Sequence, residues 1–122
     1  PEVGAFLKGF VYAGRGLKAG LHRQRNIKVM LGCAALAVAL GLIVGLSRLE
    51  WAVIALCCGL VLSLELTNTA LERLIDRVCP DRDPAFGQVK DILAGAVLVA
   101  SVAAAAAGLL IYVRPLVALL GR

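Results

Sequence analysis

The 122-residue sequence contains few charged residues (17%) and few aromatic residues (5%), whereas 61% of its residues are hydrophobic. Soluble domains have about 45–50% apolar and about 25% charged residues. A chain of this length buries only about two-thirds of its unfolded surface, so a soluble fold would leave a large apolar exterior in water. The composition therefore excludes an ordinary soluble domain and a disordered chain, and it predicts one small integral membrane domain covering residues 1–122.

Patterns that would form a zinc site are also lacking. The sequence has one histidine and four cysteines, without a Cys-x-x-Cys spacing, so a structural zinc site has no ligand set. Cys33, Cys57 and Cys58 lie in apolar stretches, and we expect them to be small buried hydrophobic residues.

Long uncharged stretches predict three membrane spans. A spanning helix needs about 20 largely apolar residues, and residues 29–47 and 92–113 meet this requirement. The stretch between them is uncharged only from residue 51 to residue 64, which is too short to cross a bilayer. Extending it to residues 51–71 gives the required length and includes one charged residue, Glu65. The second span is therefore complete only if Glu65 lies at membrane depth.

The basic residues predict an orientation for these spans. Arg48, Arg114 and Arg122 lie on one predicted side of the membrane, and the other ten of the 13 basic residues lie on the opposite side. Those ten are Lys8, Arg15, Lys18, Arg23, Arg25, Lys28, Arg73, Arg77, Arg82 and Lys90. Because Lys and Arg are in excess in cytoplasmic loops, we expect a cytoplasmic N-terminus and an external C-terminus. The net charge of +5 thus reflects topology, and no basic patch with interleaved aromatic residues predicts binding to nucleic acid.

Residues 3–24 form an amphipathic segment before the first span. Apolar residues such as Phe6, Leu7 and Phe10 fall on one helical face, and basic residues such as Lys8 and Arg15 fall on another. This pattern predicts a helix in the membrane interface, held by apolar burial and by anionic lipid headgroups. Alternatively, the basic residues act only as an orientation signal and the segment is not helical.

Three carboxylates and an amide share one face of the second predicted span, which we call the acidic face. At about 100° per residue, Glu72 and Asp76 lie within about 20° of Glu65 around the helix. Asn68 lies beside them. Glu72 lies about 10 Å beyond Glu65 toward the predicted cytoplasmic side, and Asp76 lies about 6 Å further. Solvated positions on an emerging helix would account equally well for Glu72 and Asp76, whereas a carboxylate at membrane depth is costly and usually functional.

These residue types match the requirements of phosphoryl transfer to a membrane-borne alcohol. Glu65 could accept the proton of the attacking hydroxyl, and a shallower carboxylate could share Mg²⁺ with phosphate oxygens. Lys90 lies at the predicted cytoplasmic start of the third span, where it could meet a phosphate as a point charge.

Two other interpretations of Glu65 stay open. A small proton-coupled transporter would use Glu65 as its intramembrane site, although the other two spans contain no ionisable residue that could continue a path across the membrane. A purely structural role is the third interpretation, and packing alone would not favour a costly carboxylate at that depth.

Over nearly its whole length, the chain resembles the prokaryotic lipid kinase family of diacylglycerol kinases and undecaprenol kinases. The resemblance rests on Glu65-x-x-Asn68-x-x-x-Glu72-x-x-x-Asp76, followed by Lys90-Asp91-x-x-x-Gly95-Ala96-Val97-Leu98. Asn68-Thr69-Ala70 and Arg25-Asn26 are closer to the undecaprenol kinase branch. The resemblance implies an interfacial N-terminal helix with three spans, a homotrimer with shared sites, and a bacterial inner-membrane location.

The resemblance also implies a substrate pair and a role for each site residue. ATP is the implied phosphoryl donor, and undecaprenol or diacylglycerol is the implied acceptor, with Mg²⁺ as cofactor. Glu65 is the implied general base, Glu72 the Mg²⁺ ligand, and Lys90 the contact to the ATP phosphates. Asp91, Asn68, Asp76 and Gly87 are implied to border the nucleotide or to organise the site.

One residue departs from the family pattern. Gln24 stands before Arg25-Asn26, where the family usually has a glutamate that serves as a second metal ligand. A glutamine offers one neutral oxygen to a cation but no charge, so we expect a lower affinity for Mg²⁺ unless phosphates or Asp76 compensate.

Overall fold

The computed structural model describes residues 1–22 and 24–122. Its four helices, in chain order, are α1 (Glu2–Leu21), α2 (Arg25–Val44), α3 (Arg48–Val78) and α4 (Pro84–Leu120). α2, α3 and α4 are long and apolar enough to cross a membrane. The prediction of an all-helical chain with three long apolar helices is therefore confirmed, whereas the interfacial position of α1 and the homotrimer stay predictions. Arg23, one of the ten basic residues used for the predicted orientation, lies outside the described residues.

Two of the apolar helices are longer than the predicted spans 51–71 and 92–113. α3 has 31 residues and α4 has 37. At about 1.5 Å per residue they measure about 46 Å and about 55 Å, against a bilayer hydrocarbon core of about 30 Å. The predicted spans omit the charged turns at the helix ends, which include the end of α3 and the start of α4 on either side of their connection.

A glycine and a capping box determine where α2 ends and α3 begins. Gly45 has a φ of 74°, in the left-handed region that favours glycine, so α2 ends at Val44 and the last residues of the stretch 29–47 lie outside it. The backbone N–H of Glu50 donates to Ser47 Oγ over 3.2 Å, and the N–H of Ser47 donates to Glu50 Oε1 over 3.0 Å. This reciprocal cap begins α3 directly after the turn.

The start of α4 also has a recognisable signal. The carboxylate of Asp83 accepts a hydrogen bond of 2.8 Å from the N–H of Ala85, and Pro84 occupies the first helical turn, where a missing N–H is harmless. The cap begins α4 at Pro84, shortly after α3 ends at Val78. The charged ends of the two helices therefore lie close together.

α3 is the central helix, since it packs against α1, α2 and most extensively α4. The α2–α3 contact depends on Gly41, because a Cβ atom there would lie 2.6 Å from Cη2 of Trp51. α4 is joined to α2 by the Tyr112 hydroxyl, which donates a 2.5 Å hydrogen bond to the carbonyl oxygen of Ala37.

Much of the apolar surface is exposed on the single chain, as expected for helices that face lipid. The buried hydrophobic residues include Ile27, Ile54, Ile75, Val97, Ala100 and Tyr112. Cys33 is exposed, and Cys57 and Cys58 are only half-buried. The expectation that these three cysteines are buried is thus wrong, because an apolar residue in a membrane helix can face lipid as readily as protein.

Candidate active site

The acidic face of α3 runs from a buried to an exposed environment. Glu65 is 4% exposed and Asn68 is 8% exposed. Glu72 is half-buried, and Asp76, close to the end of the helix, is exposed. The structure thus encloses the predicted base within the helices and leaves the last carboxylate open to solvent.

Asn68 carries a buried oxygen without a partner. Among the described residues, no group donates a hydrogen bond to its Oδ1 atom. A buried polar atom without a partner costs about 1–3 kcal/mol, so such an atom in a native fold calls for an explanation. This enclosed oxygen lies on the acidic face between Glu65 and Glu72, where it is a candidate partner for a bound group.

Lys90 of α4 forms an ion pair with Asp76 of α3, in which Lys90 Nζ donates a hydrogen bond to the carboxylate. Lys90 lies before the predicted span 92–113. The hydrogen bond to Asp76 raises the pKa of Lys90 above its usual value, because the carboxylate favours the charged ammonium group. The structure therefore brings the predicted phosphate contact to the acidic face and keeps it cationic.

A cavity of about 460 Å³, which we call the turn cavity, lies at the connection between α3 and α4. Asp76, Gly87 and Lys90, three of the predicted nucleotide contacts, line it together. Arg82 and Phe86 also line it, and neither is among the site residues predicted from sequence. The only sequence signal for them is their position in the short segment between Asp76 and Lys90.

The other predicted site residues lie outside the turn cavity. Glu65, Asn68 and Glu72 lie further back along α3 and do not line the turn cavity. Asp91 is exposed, one residue after Lys90. Gln24 is half-buried and forms the N-cap of α2.

A second cavity, of about 430 Å³, lies between α2, α3 and α4, and we call it the apolar cavity. Its lining residues on α3 extend from Ile54 to Leu62, so it ends one helical turn before Glu65. Its walls are almost entirely apolar, including Met30 on α2 and Ala104 on α4. The buried carboxylate thus lies along α3 between an apolar cavity and a charged one.

The donor set on the acidic face suits a hard cation such as Mg²⁺ better than a soft metal. Within residues 1–22 and 24–122, no three His, Cys, Asp or Glu side chains come together as a metal site. Mg²⁺ usually keeps several waters and binds through one or two carboxylates together with substrate phosphates. Glu72 and the unpartnered Asn68 oxygen fit such a site when a nucleotide supplies the remaining oxygens.

Arg73 makes a contact that the sequence analysis missed. Its Nη1 donates to the carbonyl oxygen of Ala19 over 2.9 Å, and its Nη2 donates to that of His22 over 3.2 Å. In the sequence, Arg73 is only one of the basic residues that predict orientation, and nothing in its spacing indicates a contact with α1.

Comparison with known proteins identifies the family. The family model described as prokaryotic diacylglycerol kinase matches residues 11–112, most of the chain. The chain belongs to the prokaryotic diacylglycerol kinase family. The chain is 38% identical to an undecaprenol kinase of Bacillus subtilis over 115 residues, which cover 94% of each protein. It is also 33% identical to a diacylglycerol kinase of Synechocystis, over 93% of this chain and 66% of the cyanobacterial protein.

Membership makes the chain a kinase that acts on a lipid alcohol, and it implies ATP as co-substrate. It confirms the resemblance inferred from the spacing of Glu65, Asn68, Glu72 and Asp76. The matching family and both relatives are kinases, so they give no support to a proton-coupled transporter.

Proposed function

We propose that this lipid kinase transfers the γ-phosphoryl group of ATP to the hydroxyl of undecaprenol, with diacylglycerol as the second candidate acceptor, at the cytoplasmic surface of the bacterial inner membrane. The observation that carries the proposal is the continuous acidic face of α3. It joins the buried carboxylate of Glu65 to the exposed Asp76–Lys90 pair at the turn cavity. A lipid hydroxyl and a nucleotide can therefore approach the same helix face from opposite ends.

The chemistry is assigned along that face. Glu65 accepts the proton of the lipid hydroxyl while the hydroxyl oxygen of the lipid forms a bond to the γ-phosphorus. The bond from the γ-phosphorus to the bridging oxygen breaks, and ADP leaves. Lys90, held by Asp76, offsets negative charge on the phosphates. Gly87 and Asp91 border the nucleotide.

The oxygen ligands of the acidic face would hold Mg²⁺ together with the nucleotide. Glu72 would supply the carboxylate, and Asn68 on the same face and Gln24 at the start of α2 would supply neutral oxygens. When bound, the ion neutralises charge on the phosphates. Because Gln24 brings no charge to this set, the protein should need more Mg²⁺ than a relative with a glutamate at that position.

One observation favours a polyprenol as the acceptor. The B. subtilis relative named undecaprenol kinase matches the chain over 94% of each protein. The apolar cavity, which ends one turn before Glu65, can take a segment of hydrocarbon chain beside the base. Diacylglycerol offers a similar apolar surface and a hydroxyl, and it therefore stays the second candidate.

A transfer assay with purified protein tests the proposal. The protein in detergent micelles receives γ-labelled ATP and Mg²⁺ with undecaprenol, diacylglycerol or ceramide, and the labelled lipid is separated and counted. We expect undecaprenol to be labelled with the highest kcat/KM. Preferential labelling of diacylglycerol would replace the acceptor, and no labelling of any lipid would overturn the proposal.

A further inference from the structure

The end of α1 contacts α3 at two points beside the acidic face. Residues 1–19 are exposed, whereas Gly20 is buried. A Cβ atom on Gly20 would lie 2.5 Å from Cδ2 of Leu66, so the backbone of α1 touches α3 closely at this point. Arg73 makes the second contact through its two hydrogen bonds to the carbonyls of Ala19 and His22.

The register of these contacts relates them to the site. Leu66 directly follows Glu65, and Arg73 directly follows Glu72. Consecutive residues on a helix are separated by about 100°, so Leu66 and Arg73 share a face next to the acidic face. The end of α1 thus lies against the side of α3 that adjoins both carboxylates.

The Arg73 contact is suited to the end of a helix. The last carbonyl groups of a helix lack partners within the helix, and they carry partial negative charge. The planar guanidinium group can donate to two of them at once, which the ammonium group of a lysine does less well. Arg73 therefore caps α1 from a distance of more than 50 residues in sequence.

We propose that Arg73 is a positioning residue that fixes Gln24 relative to Glu72. Gln24 lies two residues after His22 and begins α2. Holding the carbonyl of His22 against α3 therefore anchors the chain shortly before Gln24 to the helix that carries Glu72. This role rests on the proposed function, because it requires a nucleotide complex that meets both side chains.

Hydrogen exchange and kinetics on the full-length protein in nanodiscs test this role. Arg73→Ala removes the cap. Arg77→Ala is the matched control, because Arg77 is an exposed arginine on the same helix. We expect Arg73→Ala alone to accelerate amide exchange in the last turn of α1, measured by mass spectrometry. We also expect it to raise the KM for ATP–Mg²⁺ about tenfold, since small misplacements of binding groups are costly. The KM for the lipid should not change.

A second variant separates positioning from charge. Arg73→Lys keeps the positive charge but not the planar fork, so it should give an intermediate rate of exchange and an intermediate KM for ATP–Mg²⁺. It also replaces Arg73→Ala in the comparison should that variant fail to fold.

The possible outcomes are distinct. Unchanged exchange in Arg73→Ala would overturn the cap, and faster exchange with an unchanged KM for ATP–Mg²⁺ would overturn the positioning role. A wild-type protein that labels no lipid would overturn the proposed function and the positioning role together. The exchange measurement would still show, independently of activity, whether Arg73 caps α1.

Discussion

Lys90 near the start of α4 is hydrogen-bonded to Asp76 near the end of α3, and the two side chains line the turn cavity together. Because both side chains are partly exposed, the pair contributes little to stability. Its importance is geometric, since it fixes the position of a cation at the end of the acidic face.

Replacing Lys90 should therefore damage catalysis far more than stability. Under the proposed function, we expect Lys90→Met to lower kcat/KM for ATP by about 100-fold, because the variant would lack the charge proposed to stabilise the transferring phosphoryl group. Lys90→Arg should retain part of the activity. The labelled-lipid assay gives the rates and thermal unfolding gives the stability. Arg77→Met serves as the control for loss of one positive charge, and a kcat/KM for ATP near that of the wild type in Lys90→Met would exclude a phosphate contact.

Glu65→Gln tests the general base. Removing a general base should lower kcat by about 10²–10⁴, with helix content and thermal unfolding unchanged. Glu50→Gln is a matched control on the same helix, because a glutamine can replace the glutamate in a capping box. Transfer by Glu65→Gln at the wild-type rate in detergent micelles would exclude Glu65 as the base.

Gln24→Glu tests the departure from the family pattern. The added carboxylate should lower the Mg²⁺ concentration that gives half-maximal activity, because Mg²⁺ binds carboxylates more strongly than neutral oxygens. Gln88→Glu adds the same charge at an exposed position of α4 and is the control. An unchanged or raised Mg²⁺ requirement in Gln24→Glu would remove Gln24 from the metal site.

Tyr112→Phe tests the hydrogen bond that joins α4 to α2. Loss of the bond to the Ala37 carbonyl should lower the free energy of unfolding by about 0.6–1.5 kcal/mol, the range for hydrogen bonds between helices. Tyr12→Phe, on exposed α1, is the control. Unfolding in mixed micelles measures both variants, and equal stability of the two would show that the Tyr112 bond contributes nothing.

Gly41→Ala tests the close approach of α2 and α3. Alanine favours a helix over glycine by about 1 kcal/mol, and Gly32→Ala, where no atom lies within 4 Å of the added Cβ, should show that gain. Gly41→Ala should be less stable than Gly32→Ala, because its Cβ would meet Trp51 and Leu46. The same unfolding measurement compares the two, and equal stabilisation would contradict a tight contact.

The helices and the acidic face could be predicted from sequence because both depend on local periodicity. Uncharged stretches indicated the apolar helices, and the spacing of Glu65, Glu72 and Asp76 placed them on one face. The exposure of Cys33 could not be predicted in this way, because apolar character does not distinguish a lipid-facing position from a buried one.

Contacts between distant segments could not be predicted in this way. The Gly41-x-x-x-Gly45 pair resembles a helix-packing motif, yet Gly41 packs against Trp51 whereas Gly45 ends α2. The hydrogen bonds of Arg73 to α1 depend on the tertiary arrangement of two helices. A single sequence carries no signal for them.

Because α3 is one uninterrupted helix from Arg48 to Val78, it fixes the distance between the buried carboxylate of Glu65 and the turn cavity. One residue inserted between Glu65 and Glu72 would turn the two carboxylates about 100° out of alignment and separate them by a further 1.5 Å or so. Seven inserted residues would restore the alignment but add about 10 Å to the separation. Under the proposed function, the spacing in α3 would thus set the distance between the lipid hydroxyl at Glu65 and the ion held at Glu72.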